Sequence, residues 1–219
     1  METTRQFQTI KHTFQIRHVI QKSRFIASAQ EVKNEDESRY FLKLTIKNFP
    51  DATHHCWAYR LGNGDHEISH YSDDGEPANS AGPPILQAIM HEDVTNVMIV
   101  VARYFGGKKL GISGLIQAYR NIALELLKKV GKKKMIPLRE FNLDNIDYQY
   151  LGKILQSLES HSGHILNIEY GQKVKLSVDL PEHLEHWMIQ MFDNLTRGSG
   201  NIYLGEIKWC DSDDIRYGG

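Results

Sequence analysis

Behind Gly131 the pattern of apolar residues starts over, and this restart constrains the fold more than any other feature of the chain. Gly131-Lys132-Lys133-Lys134 is short, charged and glycine-led, the character of an inter-domain boundary. Beyond it the periodicity predicts a strand over Met135–Leu143, a helix over Tyr148–Ser160 and strands over His164–Tyr170 and Lys173–Leu180. A helix over Glu182–Leu195 and a strand over Asn201–Cys210 complete the set. That βαββαβ order is the ferredoxin-like arrangement, and Gly171-Gln172 supplies the turn between its middle strands. Residues 1–131 and 132–219 are therefore expected to be two domains of an α+β protein. A chain of 219 residues can bury real cores without disulfides or a structural metal.

In the first part, Thr13–Ile20 and Ser23–Val32 read as strands of a hairpin turning at Gln21-Lys22. Asn34 followed by Glu35, Asp36 and Glu37 offers a cap and an acidic first turn to a helix. Its apolar stripe is expected to be Tyr40, Phe41, Leu44 and Phe49, with Pro50 as the stop. His54–Arg60 and Glu67–Tyr71 read as strands around the turn Leu61-Gly62-Asn63-Gly64-Asp65. A helix is expected from Pro83 to His91. The apolar run Val97–Ala102 lies in a strand, Asn96 to Tyr104, buried on both faces. Ile112–Val130 carries the strongest helical pattern of the chain.

The charge balance narrows the partners. The formal net charge is −1, with 16 basic and 14 acidic residues up to Gly131 and 10 and 13 beyond it, hence +2 and −3. Neither half is a basic module, so any nucleic-acid site must be a local cluster. Cys56 and Cys210 fit neither a metal knuckle nor a disulfide framework, and both are expected to be reduced. Met1–Ile10 carries Glu2 and Arg5 before any apolar run, which is not a signal peptide, and no window approaches 18 uninterrupted apolar residues. The expected address is the cytoplasm, with no membrane partner.

Two segments concentrate chemistry. In His70-Tyr71-Ser72-Asp73-Asp74-Gly75-Glu76-Pro77 three carboxylates fall within four positions, with His66 just upstream and His54 and His55 on a neighbouring strand. Such a set offers oxygen ligands to Mg²⁺ or Ca²⁺, but it has neither EF-hand nor HExxH spacing. The plainer reading is an acidic turn whose Asp caps the next helix. The second segment, Arg103 to Gly114, lies between the buried strand and the long helix, where backbone amides and a helix N-terminus can hold an anion. Arg103, Lys108 and Lys109 would add charge, and Tyr104 or Phe105 a stacking face. It is no Walker A loop, because Lys108 is followed by Lys109. Cys56 and His55 are neighbours on a strand and point to opposite faces, so they form no catalytic pair. Ser72, His70 and Asp73 make no triad, the Lys132–Lys134 run reads as a solvated linker, and His183, His186 and Trp187 read as surface or packing residues. No catalytic set, metal site or cofactor is assigned.

Taken together, the segments resemble the YigZ/IMPACT family. The matching blocks are His55-Cys-Trp-Ala-Tyr-Arg60, Tyr71-Ser-Asp-Asp-Gly-Glu-Pro77, Ala81-Gly-Pro-Pro-Ile-Leu86 and Val100-Val-Ala-Arg-Tyr-Phe-Gly-Gly107. Lys109-Leu-Gly111, Gly114-Leu115 and Ala118-Tyr119 follow. The resemblance implies a first domain like the second domain of ribosomal protein S5, a sheet with helices on one face. It implies a second domain like the ferredoxin-like C-terminal domain of elongation factor G. Eukaryotic relatives regulate translation initiation, so the implied partner is a ribosome, an RNA or a translation-related protein. The residues expected to bind are Arg103, Tyr104, Gly106, Gly107, Lys108, Lys109, Asp73, Asp74, Glu76 and Arg60. Rival readings are a metal-assisted hydrolase or phosphotransfer enzyme built on Asp73, Asp74 and Glu76, and a protein–protein adaptor needing no nucleic acid. The chain departs from the family pattern twice. Ala78, Asn79 and Ser80 stand where Ser-Gly-Thr is usual, and Gln117 replaces an arginine, which is expected to weaken an anion site.

Overall fold

The computed structural model describes residues 6–215, which form two compact units, Phe7–Lys133 and the segment from Lys134 onward. The expected signal-free character of Met1–Ile10 falls in part on residues 1–5, outside the described residues. Lys132 and Lys133 are not a solvated linker. They open a strand, and their side chains pair with Glu92 (2.8 Å) and Glu31 (2.7 Å) of the first unit. No described helix is long and apolar enough to cross a membrane.

The first unit runs β1 (Phe7–Ile10), β2 (Phe14–Ile20), β3 (Ser23–Glu31), α1 (Glu35–Asn48), β4 (His54–Leu61), β5 (Ile68–Ser72), α2 (Gly82–His91), β6 (Val97–Tyr104) and α3 (Gly111–Val130). Its sheet has the order β2-β3-β6-β4-β5, antiparallel throughout, with β6 at the centre. Alternation divides β6 between two cores. Val97, Ile99 and Val101 join Ile85 and Ile89 of α2 and Tyr119, Ile122 and Leu126 of α3. Met98 and Val100 join Phe41 of α1 together with Tyr59 and Leu61. Helices therefore cover both faces, not one, because an all-apolar central strand leaves neither face fit for water. The buried side of α1 is Ser38, Phe41 and Thr45, while Tyr40 and Leu44 of the expected stripe are exposed. Asn34 caps α1 by accepting from the Glu37 amide at 2.9 Å.

The second unit takes up β7 (Lys132–Ile146) from Lys134, its first two residues belonging to the first unit, and continues with α4 (Tyr148–Glu159), β8 (His164–Tyr170), β9 (Val174–Pro181), α5 (Glu185–Thr196) and β10 (Asn201–Asp211). The βαββαβ order is as expected, and the strands lie β10-β7-β9-β8, all antiparallel. Phe141, Leu143, Leu176, Val178 and Leu180 pack on Ile154 and Leu158 of α4 and on Met188 and Phe192 of α5. The intervening residues Glu140, Asn142, Ser177 and Asp179 occupy the other face.

Candidate functional site

Three chain crossings build a cleft at one end of the first unit's sheet: the start of β4, the loop Asp73–Ala81, and the segment from the end of β6 to the start of α3. Antiparallel register sets His54 opposite Arg103, and Arg103 opposite Phe25. The acidic loop is held from inside. Asp73 Oδ1 accepts the amides of Ala81 and Gly82, both at 2.9 Å, and Oδ2 accepts that of Asn79 at 2.8 Å. Asp73 is thus the cap of α2, as the acidic turn suggested. Asp74 Oδ2 accepts from the His55 amide at 2.6 Å, and its carbonyl takes the Nδ1 proton of His54 at 2.8 Å.

Glu76 turns inward. Its Oε1 accepts from Arg103 Nη1 at 2.6 Å and from the Tyr119 hydroxyl at 2.7 Å, with only 3% of the side chain exposed. Arg103 is equally buried, donates Nη2 to Ser23 Oγ at 3.2 Å, and leaves Nε unbonded. The Cys56 thiol donates to the Asp73 carbonyl at 3.0 Å and lies 3.3 Å from the Tyr119 hydroxyl. Burial pushes both the Cys56 thiol and the Tyr119 hydroxyl well above their ordinary values, so neither ionises near neutrality. Cys56 is a packing residue.

This arrangement corrects several expectations. Arg103 does not reach out for phosphate, because its charge is neutralised inside by Glu76. Asp73 and Glu76, expected among the binding residues, are engaged within the fold, Asp73 with amides and Glu76 with Arg103. Arg60 belongs to the far end of β4, about 20 Å from His54 at strand rise. There it donates to Glu67 at 2.7 Å and to the Val94 carbonyl at 3.2 Å. The Tyr104 ring lies 3.9 Å beneath the Arg24 guanidinium, so its stacking face is occupied. Gly106 is a close approach, because a Cβ there would stand 2.1 Å from the Lys22 carbonyl. Gly107, at φ +82°, has open space around it.

What faces solvent is different. Lys108 and Lys109 are exposed, and neither forms an ion pair among the described residues. Behind them α3 begins at Gly111 with no side-chain cap and no acidic residue in its first turn, so the positive end of a 20-residue helix is uncompensated. The cleft measures about 370 Å³, and its apolar wall includes Phe105, Ile112 and Leu115. Gln117, in place of the usual arginine, is exposed on α3. Residue reading placed His54 beside the acidic loop but missed Ser23, Ile112 and Tyr119. Only Tyr119 carried a signal, as part of the Ala118-Tyr119 block.

The described segments match two family models, the Impact N-terminal domain over residues 21–127 and a domain of unknown function (DUF1949) over residues 145–199. IMPACT family member YvyE of Bacillus subtilis (strain 168) is 34% identical over 203 residues, 93% of this chain and 93% of the relative. The chain belongs to the IMPACT family. IMPACT family member YigZ of Escherichia coli (strain K12) is 36% identical over 163 residues, 74% of this chain and 79% of its own length. Protein IMPACT of Mus musculus is 35% identical over 103 residues, 41% of this chain and 32% of the relative. A crystal structure described as that of a hypothetical protein superposes with a TM-score of 0.64 at 31% identity, over 92% of this chain and 98% of its own. The residues that build the cleft, from Ser23 to Tyr119, all lie within the Impact N-terminal domain. Asn79, where the family pattern has glycine, sits at φ +62°, a left-handed conformation that asparagine tolerates better than other side chains.

Proposed function

We propose that this protein is a translation-associated regulatory binding protein whose first unit docks on an anionic surface of a ribosome, an RNA or a translation factor. The observation that carries this reading is the uncapped N-terminus of α3, flanked by the unpaired Lys108 and Lys109 at the rim of an apolar-walled cleft. Backbone amides and a positive helix end suit a phosphate or carboxylate, and two free lysines add a salt-sensitive attraction. Phe105 and Ile112, both exposed, give an incoming group an apolar surface to cover. The buried Glu76–Arg103 pair acts beneath the cleft as a fixed floor. The family resemblance supplies the translation theme, and the analogy of fold alone would not.

The hydrolase reading finds no support in the geometry. Both oxygens of Asp73 accept from backbone amides, Glu76 Oε1 accepts from Arg103 and Tyr119, and Asp74 Oδ2 accepts from the His55 amide. Carboxylates so engaged do not converge on a common point, and no group of three or more ligand residues does so among the described residues.

The test is co-sedimentation with ribosomes across a salt series, with the Lys108→Glu/Lys109→Glu variant alongside. Binding that weakens with salt and is lost in the variant supports the proposal. Absence of sedimentation even at low salt, or binding untouched by the charge reversal, overturns it. Nuclease treatment of a pull-down then tells RNA from protein as the docking surface.

A further inference from the structure

The open face of the second unit's sheet carries a carboxylate that the fold leaves unserved. Asp179 on β9 alternates with Val178 and Leu180, so it points away from α4 and α5. Register places it between Glu140 on β7 and His164 on β8. Only 10% of its side chain is exposed, and Oδ1 accepts no hydrogen bond. The nearest cation, Lys208 Nζ, stays 3.9 Å away and donates instead to Glu140 at 2.5 Å. A buried polar oxygen without a donor is costly, and folded proteins rarely leave one. Burial, with the nearby Glu140 charge adding to it, holds the Asp179 carboxyl above the usual carboxylate range, while Lys208 and His164 only partly oppose the shift.

The same carboxylate lines a pocket of about 700 Å³. That volume is within the range of small-molecule sites, which run roughly 300–1,000 Å³. Leu138, Leu166 and Ile215 form apolar walls, and Asp214 brings a second acidic group. Lys208, also in the lining, is paired with Glu140, so the acidic groups Asp179 and Asp214 outnumber the one remaining basic side chain, His164. Phosphate and other anions are disfavoured here, in contrast to the cleft of the first unit.

We propose that this pocket is a binding site for a small organic cation, a protonated amine or guanidinium on an apolar body, with Asp179 as its anchor. The cation supplies the donor that Oδ1 lacks, and its apolar part covers Leu138, Leu166 and Ile215. An ion pair formed out of water, with its hydrogen bond made, is the strong form of such a contact. The selectivity lies in the charge, since a neutral ligand of equal shape gains the apolar contact but not the pair.

The experiment uses the full chain, isotope-labelled, titrated with 4-phenylbutylamine and with its neutral counterpart 4-phenylbutanol while amide chemical shifts are followed by NMR. The amine is expected to shift the amides of His164, Leu166 and Asp179 in a saturable way, and to bind at least about tenfold more tightly than the alcohol. Asp179→Asn, which keeps the shape and removes the charge, is expected to abolish that preference. Equal binding of amine and alcohol, no saturable shift with either, or an unchanged preference in Asp179→Asn would each overturn the proposal. The comparison of the two ligands on the unaltered protein stands whatever the variant does.

Discussion

Glu76 stands 27 positions before Arg103, yet the two side chains meet at 2.6 Å with 3% and 5% of their surface exposed. Both residue types suggested a surface, and the burial was not legible because it depends on the register of β6 against β3 and β4. A buried pair is held by its mutual charge, and removing one partner strands the other. Glu76→Ala is therefore expected to lower stability in urea denaturation by about 3–5 kcal/mol. Tyr119→Phe, which leaves the ion pair intact and removes the hydroxyl's bond to Glu76 and its weak one from the Cys56 thiol, should cost only about 1–2 kcal/mol. If the two variants lose equal stability, the pair is not the stronger element. Asp179 predicts the opposite sign. Its carboxyl is held above the ordinary value in the fold, so the contribution favouring folding is complete below that ordinary value, about 3.9. It is lost as pH rises through the folded value. Ionised Asp179 then weakens the fold, so Asp179→Asn is expected to be more stable than the parent at pH 7, with the gain vanishing toward pH 3. Urea titrations at the two pH values check this, and a variant less stable at pH 7 would contradict it.

At the scale of elements, most of the fold was readable because local chemistry and tertiary context agree. Asn34 caps α1, the alternation in β7 and β9 separates core from open face, and the apolar β6 lies at the centre of its sheet. The exception is the face of α1, where Tyr40 and Leu44 suit a helical stripe but Ser38, Phe41 and Thr45 are the buried residues, with Phe41 against Met98 and Val100 of β6. Polar residues small enough for close packing are invisible to a search for apolar periodicity. The cap of α2 shows how a motif can serve an element without touching a ligand. Asp73 reaches forward from the preceding loop to amides of Asn79, Ala81 and Gly82, which orders the loop and the helix start together. Loss of a conventional cap costs about 0.5–2 kcal/mol. Asp73→Ala is expected at the upper end of that range or beyond, since three amides lose their acceptor. Thermal unfolding reads the loss, and a change below about 0.5 kcal/mol would show the helix start to be held by other groups.

For the whole molecule, the net charge of −1 leaves no long-range field to gather a polyanion, so attraction must be local. The two α+β units and the presence of a basic loop were legible. Which cations remain available was not, because Arg60 is consumed by Glu67 across a strand turn and by Asp93, and Arg103 by Glu76 on another segment. Two lysines remain at the cleft, and that number sets a quantitative expectation. Each phosphate contact contributes about one unit to the slope of log affinity against log salt. Lys108→Gln/Lys109→Gln is therefore expected to reduce the slope for a ribosomal or RNA target by about two units. Lys128 and Lys129, at the opposite end of α3 and roughly 27 Å away at helical rise, serve as the control. Their double replacement by glutamine changes the net charge equally but removes no cleft contact, so the slope should be unchanged. Equal loss in both variants would mean that the target responds to overall charge, and the cleft would no longer be distinguished as the docking surface.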